Sequence, residues 1–280
     1  MGNRTDYAEL LERCRSTRET YVDVERHGEV ATLTLNDPER YNSLTPELCF
    51  QLRERLAELC SDTDIRVIIL TGKDEAFCAG GDLGLIQDCK GFIDEGYEGA
   101  ATIWRWIRNQ FGGIARLISQ SDTYVIAAVN GPAAGVGLSF AFACDHIIMA
   151  DEARLVMAFG EIALAPEVGT NWFLTRAVGY QKAMELFVSG EAITADSAKD
   201  MGLVNSAVKA DALLPAANKW AEKVCRLPDS VIAMTKTQMR KVSDMTWEQA
   251  IVMEEFAEPI CFTTRSHRSS VDALVRSKRD

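Results

Sequence analysis

The chain has 280 residues, which at roughly 150 residues per domain means one large domain or two ordinary ones and excludes small disulfide-stapled scaffolds. With 47% hydrophobic and 25% charged residues it can bury a sizeable core, so disorder is excluded as well. Thirty Lys plus Arg against 41 Asp plus Glu leave a net charge of −11, the wrong sign for a nucleic-acid binder, and no membrane span is expected. Only three histidines occur (His27, His146, His267), so no metal site is expected and carboxylates or backbone groups must carry any chemistry. The eight cysteines include no CxxC, which points to reduced thiols in a cytoplasmic compartment. The first 25 residues hold no continuous apolar stretch, so no secretory signal is expected.

In chain order, residues 1–20 read as a charged N-terminal extension with a peripheral helix. YVDVER (21–26) and VATLTL (30–35) alternate apolar and polar residues around His27-Gly28-Glu29, as in a hairpin with one wet face. Thr45-Pro46-Glu47 supplies an N-cap and an N1 proline for a helix running to about Cys60. RVIILTG (66–72) is a short apolar strand that ends in the loop AFCAGGDL (76–83). The same grammar returns as a helix from about Ala100 to Ser119, the strand YVIAAVNG (124–131) and PAAGVGLSFAFACD (132–145). Pro132–Ala150 is apolar but carries Asp145 and His146, so it reads as a buried helix and strand rather than a bilayer span. HIIMA (146–150) and ARLVMA (153–158) add strands, Thr194 caps a helix ending at Gly202, and three helical stretches fill roughly 210–278.

The glycine loops do not fit nucleotide motifs. Phe140 stands where a dinucleotide fingerprint needs its third glycine, and Gly72-Lys73 lacks the rest of a phosphate loop. A nucleophile elbow around Ser139 would need its strand immediately before the serine, and the strand ends near Val129. Two loops of small residues can instead expose one N–H each and form an oxyanion hole for a thioester carbonyl, or simply permit tight packing.

AFCAGGDL, AAVNGPAAGVGLSFAFACD, ALAPEVG, TRAVG and GEAITADSAKDMGLVN, in this order, closely resemble the crotonase (enoyl-CoA hydratase/isomerase) superfamily. The resemblance implies an α/β spiral of ββα units over 21–208 and a C-terminal helical trimerisation region over 209–280. It also implies a homotrimer or dimer of trimers, and an acyl-CoA thioester substrate whose coenzyme A is the only cofactor-like group. It assigns the oxyanion donors to the N–H groups of Ala79 and Val136. Substrate contacts are expected from Gly80 and Asp82 in the first loop, Gly135 and Ser139 in the second, and from Arg40, Phe159 and Trp172. Asp82 also reads as a helix cap and Asp145 as structural; the basic cluster from Arg265 to Arg279 could meet the coenzyme A phosphates. WRWIRNQF (104–111) is expected to line or lid the acyl pocket, or equally to make a trimer contact.

Hydratases of this family use two glutamates, at positions occupied here by Ser139 and Phe159. Glu161, two positions from Phe159, could substitute if both lie on one face of a strand. Glu167, in Ala-Pro-Glu-Val-Gly, matches the acid of double-bond isomerases, where one carboxylate near an apolar wall can shuttle a proton. It would also suit the first turn of a helix after Pro166. The preferred reading is therefore an enoyl-CoA isomerase with Glu167 as shuttle. The alternatives are an enoyl-CoA hydratase of fatty-acid or related acyl-CoA degradation, a non-catalytic acyl-CoA binder and, last, a Ser139 thioester hydrolase.

Overall fold

A computed structural model describes residues 7–87 and 97–277. The N-terminal helix Tyr7–Ser16 is peripheral yet anchored, because Leu10 and Cys14 are buried against the helix Pro46–Ser61. The expected hairpin forms from β1 (Val22–His27) and β2 (Val30–Leu35), paired antiparallel with Gly28 in the left-handed region at φ 61°. In Pro46–Ser61 the Thr45 hydroxyl accepts the Leu48 N–H at 3.2 Å, and Leu48, Leu52, Leu56 and Leu59 form the buried stripe.

The two apolar strands, β3 (Val67–Gly72) and β4 (Tyr124–Val129), lie side by side in parallel, with Thr71 opposite Ala128. Burial on both faces is why they read as continuous apolar runs rather than alternating ones. After β4 come β5 (Ala133–Ala134), the helix Val136–Ala143, β6 (His146–Ala150) and β7 (Arg154–Val156). β8 (Ile193–Thr194) and β9 (Ser206–Val208) complete two sheets, ordered β1-β2-β3-β4-β6-β9 and β5-β7-β8. The architecture is the expected mixed α/β fold with a helical C-terminal region.

Three expectations need correction. The strand foreseen at 153–158 covers only Arg154–Val156, and the chain turns into a 3₁₀ helix at Gly160–Ile162, so Phe159 and Glu161 do not share a strand face. The helix foreseen at 100–119 begins at Tyr97 and is interrupted by a π-helical turn at Ile107–Phe111 before Gly112–Gln120. After β9 and a 3₁₀ turn at Ala210–Ala212, the described residues form four α-helices rather than three: Leu213–Cys225, Asp229–Val242, Trp247–Phe262 and Arg265–Ser277.

Leu213–Cys225 packs on β3, β4 and β6. Asp229–Val242 is fastened by ion pairs. Lys236 Nζ lies 2.8 Å from Asp145 Oδ2 and donates to the Ile118 and Thr123 carbonyls; Arg240 reaches Asp145 Oδ1 and the carbonyls of Ala143 and Cys144. Asp145 is thus structural, and its cations neutralise the C-terminal end of Val136–Ala143. The last two helices bury no residue; Trp247, Phe256, Phe262 and Leu274 are exposed. The seven described cysteines are free; Cys89 lies outside the described residues. No described helix is long and apolar enough to cross a membrane.

Candidate active site

The first loop is built by two side-chain amides. Asn130 Nδ2 donates to the carbonyls of Asp74 and Ala76, and the fully buried Asn42 donates to those of Lys73 and Ala76. The loop runs so close behind β4 that a Cβ at Gly131 would sit 1.9 Å from the Glu75 carbonyl, so only glycine fits there. Cys78 then forms a bridge to Ala133, its N–H donating to Pro132 and its carbonyl accepting the Ala134 N–H.

Beyond Cys78 the two loops touch at Gly80 and Gly135. A Cβ at Gly80 would lie 2.8 Å from the Ala134 carbonyl and 3.6 Å from Gly135 Cα; the φ values of 93° and 51° belong to glycine as well. Gly81 and Val136 follow this contact directly, and among the described residues neither N–H has a protein acceptor. Val136 opens the helix Val136–Ala143, where the first N–H groups have no intrahelical partner and the dipole is positive.

Ala79 does not fill the role expected of it. Its N–H donates to the Tyr41 carbonyl at 3.0 Å and is not available to a ligand. Tyr41 and Asn42 both sit at left-handed φ, and this local kink, silent in the sequence, turns the Tyr41 carbonyl toward the loop. Gly81, two residues on, has an N–H without a protein acceptor among the described residues. Asp82 acts as the cap foreseen for it, Oδ1 accepting the Leu85 N–H at 3.0 Å. Arg40 is exposed beside this loop and pairs with Asp37 at 3.2 Å.

Glu167 lies on a tight turn rather than in a first helical turn, because the next helix, Thr170–Val178, starts three residues later with Gly169 as its N-cap. Val168 and Gly169 hold φ values of 60° and 89°. A β-branched residue at positive φ is rare and strained. The Glu167 carboxyl is partly buried, and desolvation pushes its pKa from 4.5 up to about 7. Its backbone carbonyl accepts the Thr170 N–H, the Thr170 hydroxyl at 2.8 Å and the Ser139 hydroxyl at 3.4 Å. Ser139 and Thr170 are completely buried and share a short hydroxyl–hydroxyl hydrogen bond. Thr170 was not foreseen; its only sequence signal is a hydroxyl three residues after the acid.

The remaining candidates separate. Glu161 is exposed on its 3₁₀ turn with its carboxylate near Gly190, so the register argument for it lapses. Phe159 is buried in the core. Trp172, with Val168, Gly169 and Phe173, lines a cavity of about 370 Å³ that also meets Gly112–Gln120 and the end of Asp229–Val242. Its lining includes neither Gly81 nor Val136, so it adjoins the Glu167 turn rather than the loop contact. In 104–111, Trp106 packs edge-on against Tyr7 and Phe111 while Trp104 is exposed, and neither lines that cavity.

Among the described residues no histidine hydrogen-bonds to Ser139: His146 stacks on Trp220, His267 meets Phe262 and His27 is exposed near Glu25. Arg265, His267, Arg268 and Arg276 belong to the last helix; Lys278 and Arg279 lie outside the described residues. Among the described residues no group of three or more His, Cys, Asp or Glu could hold a metal ion.

Residues 25–278 match the family model described as enoyl-CoA hydratase/isomerase. A 1,2-epoxyphenylacetyl-CoA isomerase of Escherichia coli is 30% identical over 249 residues, 89% of this chain and 93% of the relative. The structure of an enoyl-CoA hydratase/isomerase from Cupriavidus metallidurans superposes with a TM-score of 0.85 at 28% identity, covering 93% and 95% of the two chains. That of an enoyl-CoA hydratase from Bacillus anthracis gives 0.81 at 28% identity, covering 92% and 97%. Together with the two abutting loops, these likenesses show that the chain belongs to the enoyl-CoA hydratase/isomerase family, within the crotonase superfamily.

Proposed function

We propose that the protein moves a carbon–carbon double bond within an enoyl-CoA thioester, with Glu167 as the single proton shuttle. The carboxylate removes a proton from C2 or C4, the charge passes into the thioester as a dienolate, and the carboxyl, whose proton can exchange with solvent meanwhile, returns a proton to the other carbon. The dienolate oxygen accepts hydrogen bonds from the N–H groups of Gly81 and Val136, donors aimed at the place where charge develops. The step is redox-neutral and needs no cofactor beyond the coenzyme A of the substrate. Arg40, exposed beside the first loop, suits a coenzyme A phosphate.

The observation that carries this reading is the Glu167 carboxyl, whose acidity near neutrality suits both taking and returning a proton. Hydration, by contrast, has to activate water and protonate carbon, work shared in the family by two acids. Here Ser139 and Phe159 occupy those positions and Glu161 is exposed near Gly190. The exposed apolar residues of the last two helices suit association into a trimer or a dimer of trimers, which light scattering would read as three or six times the chain mass.

The test is exchange of the substrate α-proton with deuterated water. Wild-type protein should exchange it and interconvert 2-enoyl and 3-enoyl thioesters, while Glu167→Gln should bind acyl-CoA and do neither. Unchanged exchange in the variant, or a 3-hydroxyacyl product from the wild type, would overturn the proposal.

A further inference from the structure

We infer that Ser139 and Thr170 are positioning residues: their hydroxyl pair fastens the Glu167 turn to the helix that carries the Val136 N–H. The inference rests on Glu167 being the proton shuttle. Two hydroxyls have two protons to donate, and distances assign them. Thr170 gives its proton to the Glu167 carbonyl at 2.8 Å. Ser139 gives its own to Thr170 Oγ1 through the short contact, with the Gly135 and Glu167 carbonyls at 3.2 and 3.4 Å as longer alternatives. The chain of bonds runs Ser139 to Thr170 to Glu167, and both hydroxyl-bearing residues are fully buried.

The turn needs such a fastening. Val168 at φ 60° is a β-branched residue in the left-handed region, a conformation that persists only where the surroundings over-determine it. Ser139 lies one turn along the helix from Gly135, which meets Gly80 of the first loop, so the same helix carries an oxyanion amide at its start and the clamp on the acid at its fourth residue. A serine at 139 is too short to reach a substrate through its buried surroundings, but its length suits a contact to Thr170. Proximity catalysis is sensitive to displacements of about 1 Å, so a loosened turn should show in rate before it shows in binding.

Ser139→Ala and Thr170→Val each remove one hydroxyl at little change in volume, and Thr170→Ser keeps it. The first two should lower α-proton exchange by about 10- to 100-fold with KM within about twofold of wild type. They should also shift the pH midpoint of exchange toward that of an ordinary carboxylate, while Thr170→Ser stays near wild type. Wild-type turnover and an unshifted midpoint in both hydroxyl-free variants would overturn the inference.

A second readout needs no activity. Glu167→Gln should raise stability more at about pH 8 than at about pH 5, and this difference should shrink when Ser139→Ala or Thr170→Val is also present, because the freed carboxyl reaches water. An undiminished difference would show that the hydroxyls merely fill space. Exchange surviving in Glu167→Gln alone would instead defeat the shuttle reading, and the stability cycle would still decide whether the pair positions the turn.

Discussion

Replacing Glu167 with glutamine should stabilise the protein in mild alkali while abolishing its chemistry. Burial lifts the carboxyl from 4.5 in the unfolded chain to about 7 in the folded one, so between these values the native state holds more protons than the unfolded state. Stability therefore falls as pH rises through that window, and the cost is fully present above it. At about 1.4 kcal/mol per tenfold change, the rise corresponds to about 3 kcal/mol at pH 8 and under about 1 kcal/mol at pH 5. Partial exposure screens the group, which lowers the expected difference to about 1–2 kcal/mol. Glutamine cannot ionise, so the variant should gain about 2–3 °C in melting temperature over wild type at pH 8 beyond its gain at pH 5. Thermal melts of both proteins at the two pH values measure this. An equal gain at both would refute the claim that a desolvated carboxylate sits at 167.

The rate of α-proton exchange should follow the same ionisation with the opposite benefit: only the carboxylate can act as base, so exchange should fall with a midpoint near pH 7 as the solution is acidified. A rate that stays flat down to about pH 5 would mean that the base has ordinary acidity and is another group. Val136→Pro deletes one proposed oxyanion donor at the first helical position, where proline is tolerated. It should cut turnover by about 10²- to 10³-fold while the far-ultraviolet circular dichroism stays native, and undiminished turnover would remove Val136 from the oxyanion hole.

Much of this protein was determined by its sequence locally. The hairpin around Gly28, the Thr45-Pro46 helix start, the Thr194 cap with its hydroxyl accepting the Ser197 N–H, and the doubly buried β3 and β4 all follow from patterns within a few residues. Those signals are short-range because capping, turn geometry and side-chain periodicity are short-range. The order of the motifs pointed to the family, and the proline–acid element singled out Glu167.

Only the tertiary structure decided which groups are free to act. The first loop holds several small residues in a row, and nothing local separates Ala79 from Gly81. The difference is made by Tyr41, far away in the chain, whose carbonyl occupies the Ala79 N–H. The displacement of Glu161 onto an exposed turn, the partnership of Ser139 with Thr170 and the acidity of Glu167 arise in the same way. Hydrogen-bond occupancy and desolvation depend on which distant segments fold against a residue, and a linear pattern carries that information only weakly.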